Sequence, residues 1–209
     1  MNEYSLEIKN LSKKFGRRQV FNNINLSINE NTIFGISGAN GSGKSTFMKI
    51  VAGVLTQDQG KVIHYINNTP INSEKLLNHI GFVSPYLVLY EEFTAEENLI
   101  IFSKIRGINY DVEYTKYLFN QLNLYKRRKE IIKTYSSGMK QRMKYIFALI
   151  HKPNLLLLDE PTSNLDSEGK STVYSIVNSF SKEKIVIIAS NEEQDLEFCK
   201  DILHLENYK

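Results

Sequence analysis

The stretch "TIFGISGANGSGKST" at residues 32–46 decides the fold. A compact apolar run through Ile33, Phe34 and Ile36 leads into a glycine-rich turn, and a helix is predicted from Ser45 to about Val54. Gly38, four residues, then Gly43, Lys44 and Ser45 make the full phosphate-binding loop pattern in the strand–turn–helix setting it requires. The glycines let the backbone curl so that successive N–H groups face phosphate oxygens. The helix N-terminus adds partial positive charge. Lys44 is placed to reach the β- and γ-phosphates of ATP, and the Ser45 hydroxyl to ligate Mg2+. The candidate nucleotide-binding element is therefore Gly38, Ala39, Asn40, Gly41, Ser42, Gly43, Lys44, Ser45 and Thr46.

Two further strands end in polar residues. "NLLLLDE" at 154–160 delivers Asp159 and Glu160 to a strand's carboxyl end, where ligands gather in open α/β sheets. Asp159 in that place would hold Mg2+ through its water shell, and Glu160 would polarise the attacking water as general base. "KIVIIASNEEQD" at 184–195 is a second buried strand that delivers Asn191 to the same edge.

Strands are also predicted around Tyr4, Leu6 and Ile8, through "VFNNINLSI" and in "GKVIHYI". "TAEENLIIFSKIRG" reads as a helix opened by Thr94, with Glu97 completing a capping box. A second helix is predicted at about 111–123, a third through "SSGMKQRMKYIFALIH" and a fourth at about 167–180. Strands alternating with helices argue an α/β fold with a largely parallel sheet. The section 72–135 looks like a helical insertion.

The 209 residues are 42% hydrophobic and 23% charged, which suits a globular chain with a proper core. A net charge of +3 is too weak to argue nucleic-acid binding. The single Cys199 rules out an internal disulfide and suits a reducing compartment. The N-terminal "MNEYSLEIKN" lacks the apolar core of a signal peptide, and no apolar run approaches the roughly 20 residues that span a bilayer. Any membrane role is expected to come through a partner.

"YSSGMKQR" at 135–142 precedes "LLLLDEPTSNLD" by a short helix. That order, from "LSKKFG" at 11–16 to the closing "DILHLENYK", resembles the ATP-binding cassette (ABC) family over almost the whole chain. The resemblance implies a P-loop ATPase fold with a mostly parallel core sheet, an antiparallel β subdomain and a helical subdomain. It implies a single domain over 1–209, with the helical subdomain inserted at about 86–150. Phe15 matches the aromatic that stacks on adenine; a core aromatic is the alternative. Ser136, Ser137 and Gly138 match the signature loop, which in the family faces the ATP held by a partner's P-loop. A head-to-tail pair of ATP-binding domains, as homodimer or heterodimer, is thereby implied. Asp166 matches the loop that crosses such an interface, and equally suits a helix N-cap before "SEGKSTVY".

Two departures from the family stand out. Pro85 holds the place of a glutamine that helps sense Mg2+ and the attacking water, and proline has no donor. Asn191 holds the place of a histidine that contacts the γ-phosphate. Asn191 is open to three readings: a working substitute donor, the mark of a slow or silent site, or the cap of a helix at 192–199. The resemblance implies an ATP-hydrolysing subunit on the cytoplasmic face of a membrane, bound to a transmembrane permease. Residues from Pro85 to about Phe102 would form the docking surface, with Tyr86 to Tyr90 as its apolar cluster. No nucleic-acid partner is expected. A soluble cassette ATPase acting on ribosomes or DNA is the rival, and a regulatory subunit that binds ATP without turnover the third reading. The signature "SSGMKQR" looks like that of compact exporter subunits, including those for haem export in cytochrome c maturation.

Overall fold

The computed structural model describes residues 3–209. The chain begins with β1 (Tyr4–Phe15), β2 (Arg18–Asn29), β3 (Thr32–Ser37), α1 (Lys44–Val51), β4 (Gln59–Ile66), β5 (Thr69–Pro70), α2 (Ser73–Leu76) and β6 (Ile80–Val83). Next come α3 (Ala95–Arg106), α4 (Val112–Gln121), α5 (Ser137–Leu149), β7 (Leu155–Asp159) and α6 (Ser167–Ser181). It closes with β8 (Ile185–Ser190), α7 (Glu193–Leu196), β9 (Asp201–His204) and a 3-10 turn at Leu205–Tyr208.

The strands form two sheets. An antiparallel sheet has the order β2-β1-β4-β5, and a parallel sheet the order β6-β7-β8-β3-β9. Every residue of β7 and β8 is buried, as expected of central parallel strands covered on both faces. Their two-residue period sorts the side chains. Leu156, Leu158, Val186 and Ile188 join one core with α3, α4, α5 and α6. Leu155, Leu157, Ile185 and Ile187 join the other, with α1 and the antiparallel sheet. Helix α1 is thus held between the two sheets by Phe47, Met48, Ile50 and Val51.

β1 is longer than the Tyr4–Ile8 alternation predicts, because its register shifts between Ile8 and Leu11. Asn10 takes a φ of 50° there, so the pattern restarts at Leu11 and its continuity is hidden in sequence. The predicted capping box is present: Thr94 Oγ1 accepts from the Glu97 N–H at 3.1 Å, and the Glu97 carboxylate accepts from the Thr94 N–H at 2.8 Å. The helix predicted at 192–199 is only the single turn α7. Gly81 lets β6 approach α5 closely, since a Cβ on it would lie 2.2 Å from the Ala148 carbonyl oxygen. Among the described residues no helix is long and apolar enough to cross a membrane. Burial pushes the Cys199 thiol up to about 12, which makes it a poor nucleophile.

A buried histidine, His64, and a partly buried one, His151, give the fold an acid limit. His64 lies between the Tyr4 hydroxyl (2.7 Å) and the Val51 carbonyl at the end of α1 (3.0 Å). His151 reaches the Ile80 carbonyl at 2.9 Å. Burial pushes both down to about 4, so the folded chain keeps them neutral. Unfolded, each takes a proton near its ordinary pKa of about 6.5. The stability they confer is therefore full above that value and lost as pH falls toward 4. By linkage the pair accounts for a loss of up to about 6 kcal/mol across that window. The thermal midpoint is expected to fall steeply between pH 6.5 and 4.5, and a flat midpoint there would refute the assignment.

Candidate nucleotide-binding site

The parallel register aligns three strand ends. Ser37 pairs with Ser190, and Asp159 with Ala189, so β3, β7 and β8 finish at one edge. The loop after β3 needs glycine where it meets β2. Gly43 has a φ of 113°, and a Cβ there would lie 2.4 Å from Val20 Cγ1. No side chain caps α1 at Gly43, so its first N–H groups stay free of a protein cap.

The loop borders a cavity of about 650 Å³. Asn40, Gly41, Ser42, Gly43, Lys44, Ser45 and Thr46 line it together with Phe15 and Glu160. Phe15 is 52% exposed, so it is not a core aromatic; its ring faces the opening with the Lys13 ammonium 5.1 Å from its centroid. Lys44 is buried. Its ammonium donates to the Gly38 carbonyl at 2.8 Å and pairs with Glu160 Oε1 at 3.3 Å. Glu160 turns sharply out of β7 with a φ of 51°, a left-handed conformation that only the surrounding structure enforces.

Asp159 lies at 0% exposure at the end of β7, and neither carboxylate oxygen has a partner in full hydrogen-bonding geometry, the Ser45 hydroxyl being close by. Burial pushes its carboxyl up, while the nearby Ser45 hydroxyl and the Lys44 charge pull the other way. A buried carboxylate without a full hydrogen bond, beside a serine hydroxyl and a phosphate loop, is an oxygen donor set of the kind Mg2+ takes. The residues present fit that ion.

The remaining candidates lie elsewhere. Gly38, Ala39 and Asn191 border a smaller depression on the loop's other side, with His204 and Glu206. Asn191 caps nothing. The Glu192 N–H is taken by Ser190 Oγ at 3.1 Å, and α7 has no side-chain cap. The exposed Asn191 amide instead stands 3.5 Å from Asn40 Oδ1. Ser136, Ser137 and Gly138 are absent from the cavity lining. They open α5, where Ser136 Oγ accepts from the Met139 N–H at 3.2 Å and Gly138 lies against the Asn164 carbonyl. Asp166 is the N-cap of α6, accepting from the Gly169 N–H at 2.8 Å.

A family model described as "ABC transporter" matches residues 21–163, more than half of the chain. The chain belongs to the ABC transporter family. It is 34% identical over 186 residues to a lantibiotic transport ATP-binding protein of Streptococcus pyogenes, covering 89% of this chain and 79% of that one. It is 32% identical over 203 residues to a bacitracin transport ATP-binding protein of Enterococcus faecalis, covering 96% of this chain and 66% of the relative. Among solved structures, an ATP-binding subunit of an ABC transporter superposes with a TM-score of 0.81 at 26% identity, over 96% of this chain and 86% of that one. A chain from Pyrococcus furiosus shares the fold with a TM-score of 0.84 at 24% identity, over 98% and 99%. The family is that of the nucleotide-binding ATPases that power transporters, with the P-loop fold expected above.

The ABC fold also brings in residues that the sequence reading did not select. Arg18 lines the cavity and donates to the Gly41 carbonyl at 3.3 Å. The basic run after Gly16 was its only signal. Tyr86, expected only in the docking cluster, lines the cavity beside Pro85, with the Lys49 ammonium 4.8 Å from its ring centroid. Asp195 is buried and accepts from Ser190 Oγ (2.7 Å), Tyr174 Oη (2.7 Å) and Thr162 Oγ1 (2.9 Å). Ser190 Oγ is also 3.5 Å from Glu160, so this network reaches the cavity.

Proposed function

We propose that this chain is the ATP-hydrolysing subunit of a membrane exporter, working as one of two cassettes that close over ATP. The carrying observation is the phosphate loop set opposite a strand end that holds a buried Asp159 without a full hydrogen bond and an outward Glu160. Phe15 stacks on the adenine, and the loop Gly38 to Thr46 holds the phosphates through the uncapped backbone N–H groups at the start of α1. Lys44 leaves Gly38 and Glu160 for the phosphate oxygens. Ser45 and Asp159 would hold Mg2+, which would neutralise charge developing on the phosphates. Glu160 removes a proton from water as its oxygen attacks the terminal phosphorus and the bond to the departing ADP oxygen breaks. Asn191 supplies a weaker donor than the family's histidine, and Pro85 none, so turnover is slow.

Ser136, Ser137 and Gly138, which do not line this chain's own cavity, serve the ATP of the second cassette. Residues 1–209 act as one ATP-binding domain with a helical subdomain at about 86–150; Met1 and Asn2 lie outside the described residues. The permease partner docks on an apolar groove of about 750 Å³ bordered by Leu77, Val88, Tyr90, Phe102 and Ile105. Val88 is 85% exposed there, whereas Leu89 of the same cluster is buried in the core. Through that partner the chain sits on the cytoplasmic face of the membrane. Its relatives' names concern lantibiotic and bacitracin transport, which favours export of a peptide-like compound. Steady-state Mg-ATP hydrolysis over a protein-concentration series tests the pairing. The rate per chain is expected to rise with concentration and then level off; a concentration-independent rate would refute the paired site.

A further inference from the structure

Helix α5 carries three buried polar side chains within about one turn, and all grip backbone carbonyls of loops at the cavity. Gln141 Nε2 and Tyr145 Oη donate to the Pro161 carbonyl, at 3.2 and 2.9 Å, just beyond β7. Lys144 Nζ donates to the Ser84 and Pro85 carbonyls, at 3.1 and 3.0 Å, just beyond β6. The segment 84–87 is a tight turn, with the Leu87 N–H on the Ser84 carbonyl (3.2 Å) and the Tyr86 N–H on Ser84 Oγ (3.3 Å). Pro85 at its second position pre-sets the backbone for it.

Lys144 is unexpected in that place. It is only 9% exposed, and among the described residues no ion pair includes it. Its neighbours Met143, Ile146 and Phe147 are core residues. Burying an ammonium without a carboxylate is costly, and an apolar side chain would pack here at less expense. Packing therefore does not explain the residue; its two directional bonds do. The turn they hold has two faces. Pro85 and Tyr86 border the nucleotide cavity, while Ser84, Leu87 and Val88 border the apolar groove.

We propose that Lys144 is a positioning residue of the ATPase, tethering to α5 the Ser84–Leu87 turn whose Pro85 and Tyr86 border the nucleotide cavity. The proposal rests on the function assigned above. It gives a structural use to the proline that stands where a polar sensor was expected: a stiff turn, clamped from the helix that Ser136 opens.

The test compares the purified parent with Lys144→Met and Lys144→Arg. Amide exchange at Tyr86 and Leu87 is expected to quicken by about tenfold or more in Lys144→Met, as the local opening that exposes these bonds becomes easier. Its kcat is expected to fall on the order of tenfold, with KM for ATP and Tm nearly unchanged, because loss of positioning acts on turnover. Lys144→Arg should recover most of both, since its guanidinium can donate to both carbonyls. Parent-like exchange and kcat in Lys144→Met would overturn the proposal. So would equal losses in both variants that track a lower Tm. A parent that binds ATP without hydrolysing it would fail the function assignment in the first assay, and the exchange comparison would still decide the tether.

Discussion

Glu160→Gln is expected to lower ATP hydrolysis by about 100- to 10,000-fold, the range that a positioned general base contributes. The substitution keeps the side chain's size and removes its ability to take a proton. Nucleotide should still bind. In the structure Glu160 Oε1 holds the Lys44 ammonium at 3.3 Å, and that pair must open when phosphates enter. A neutral glutamine holds the ammonium less strongly, so the variant's affinity for ATP is expected to equal or exceed the parent's. Hydrolysis within threefold of the parent's would remove Glu160 from the base role and leave Asp159 as the nearest carboxylate. Single-turnover hydrolysis, read beside equilibrium nucleotide binding, separates these outcomes.

The parts of this site that could be read in sequence share one property: local spacing specifies them. The phosphate loop needs glycines at fixed offsets between a strand and a helix, and its residues from Asn40 to Thr46 line the cavity. The capping box needs Thr94 and Glu97 three apart, and both of its hydrogen bonds are present. The central strands are unbroken apolar runs because both faces of the parallel sheet are covered. The family motifs extended this reading to the order of the elements.

What escaped the sequence is specified by distant partners. Lys144 reads as an ordinary helix cation, yet its acceptors lie 60 and 59 residues away in sequence. Asp195 reads as one more acid in "NEEQD", yet three hydroxyls from β8, α6 and the Thr162 loop converge on it. That convergence pulls α7 inward and leaves Ser190 to take the Glu192 N–H. Asn191, a good cap by residue type, is therefore displaced from that role by its neighbour. The β1 bulge is a further case, since one left-handed Asn10 conceals a strand of 12 residues.

Lys44→Ala separates charge from shape in the phosphate loop. The backbone cradle should survive, because its form is set by Gly43 against Val20 and by α1 packed between the sheets. What is lost is a buried ammonium that now rests on two acceptors, the Gly38 carbonyl and Glu160. In the parent it exchanges these for phosphate oxygens of higher charge, and hydrogen bonds between charged groups contribute about 1.5–3 kcal/mol. The variant is therefore expected to bind ATP on the order of 100-fold more weakly and to show no hydrolysis above background. Its carboxylates worsen matters: with Lys44 gone, Glu160 faces the incoming phosphates without the cation it pairs with, and Asp159 keeps only the more distant charge of Lys49. The two variants thus move affinity in opposite directions, Glu160→Gln holding or raising it and Lys44→Ala lowering it. Equal affinity in Lys44→Ala and the parent would mean that backbone N–H groups alone carry phosphate binding, with the Lys44–Glu160 pair outside the nucleotide's reach.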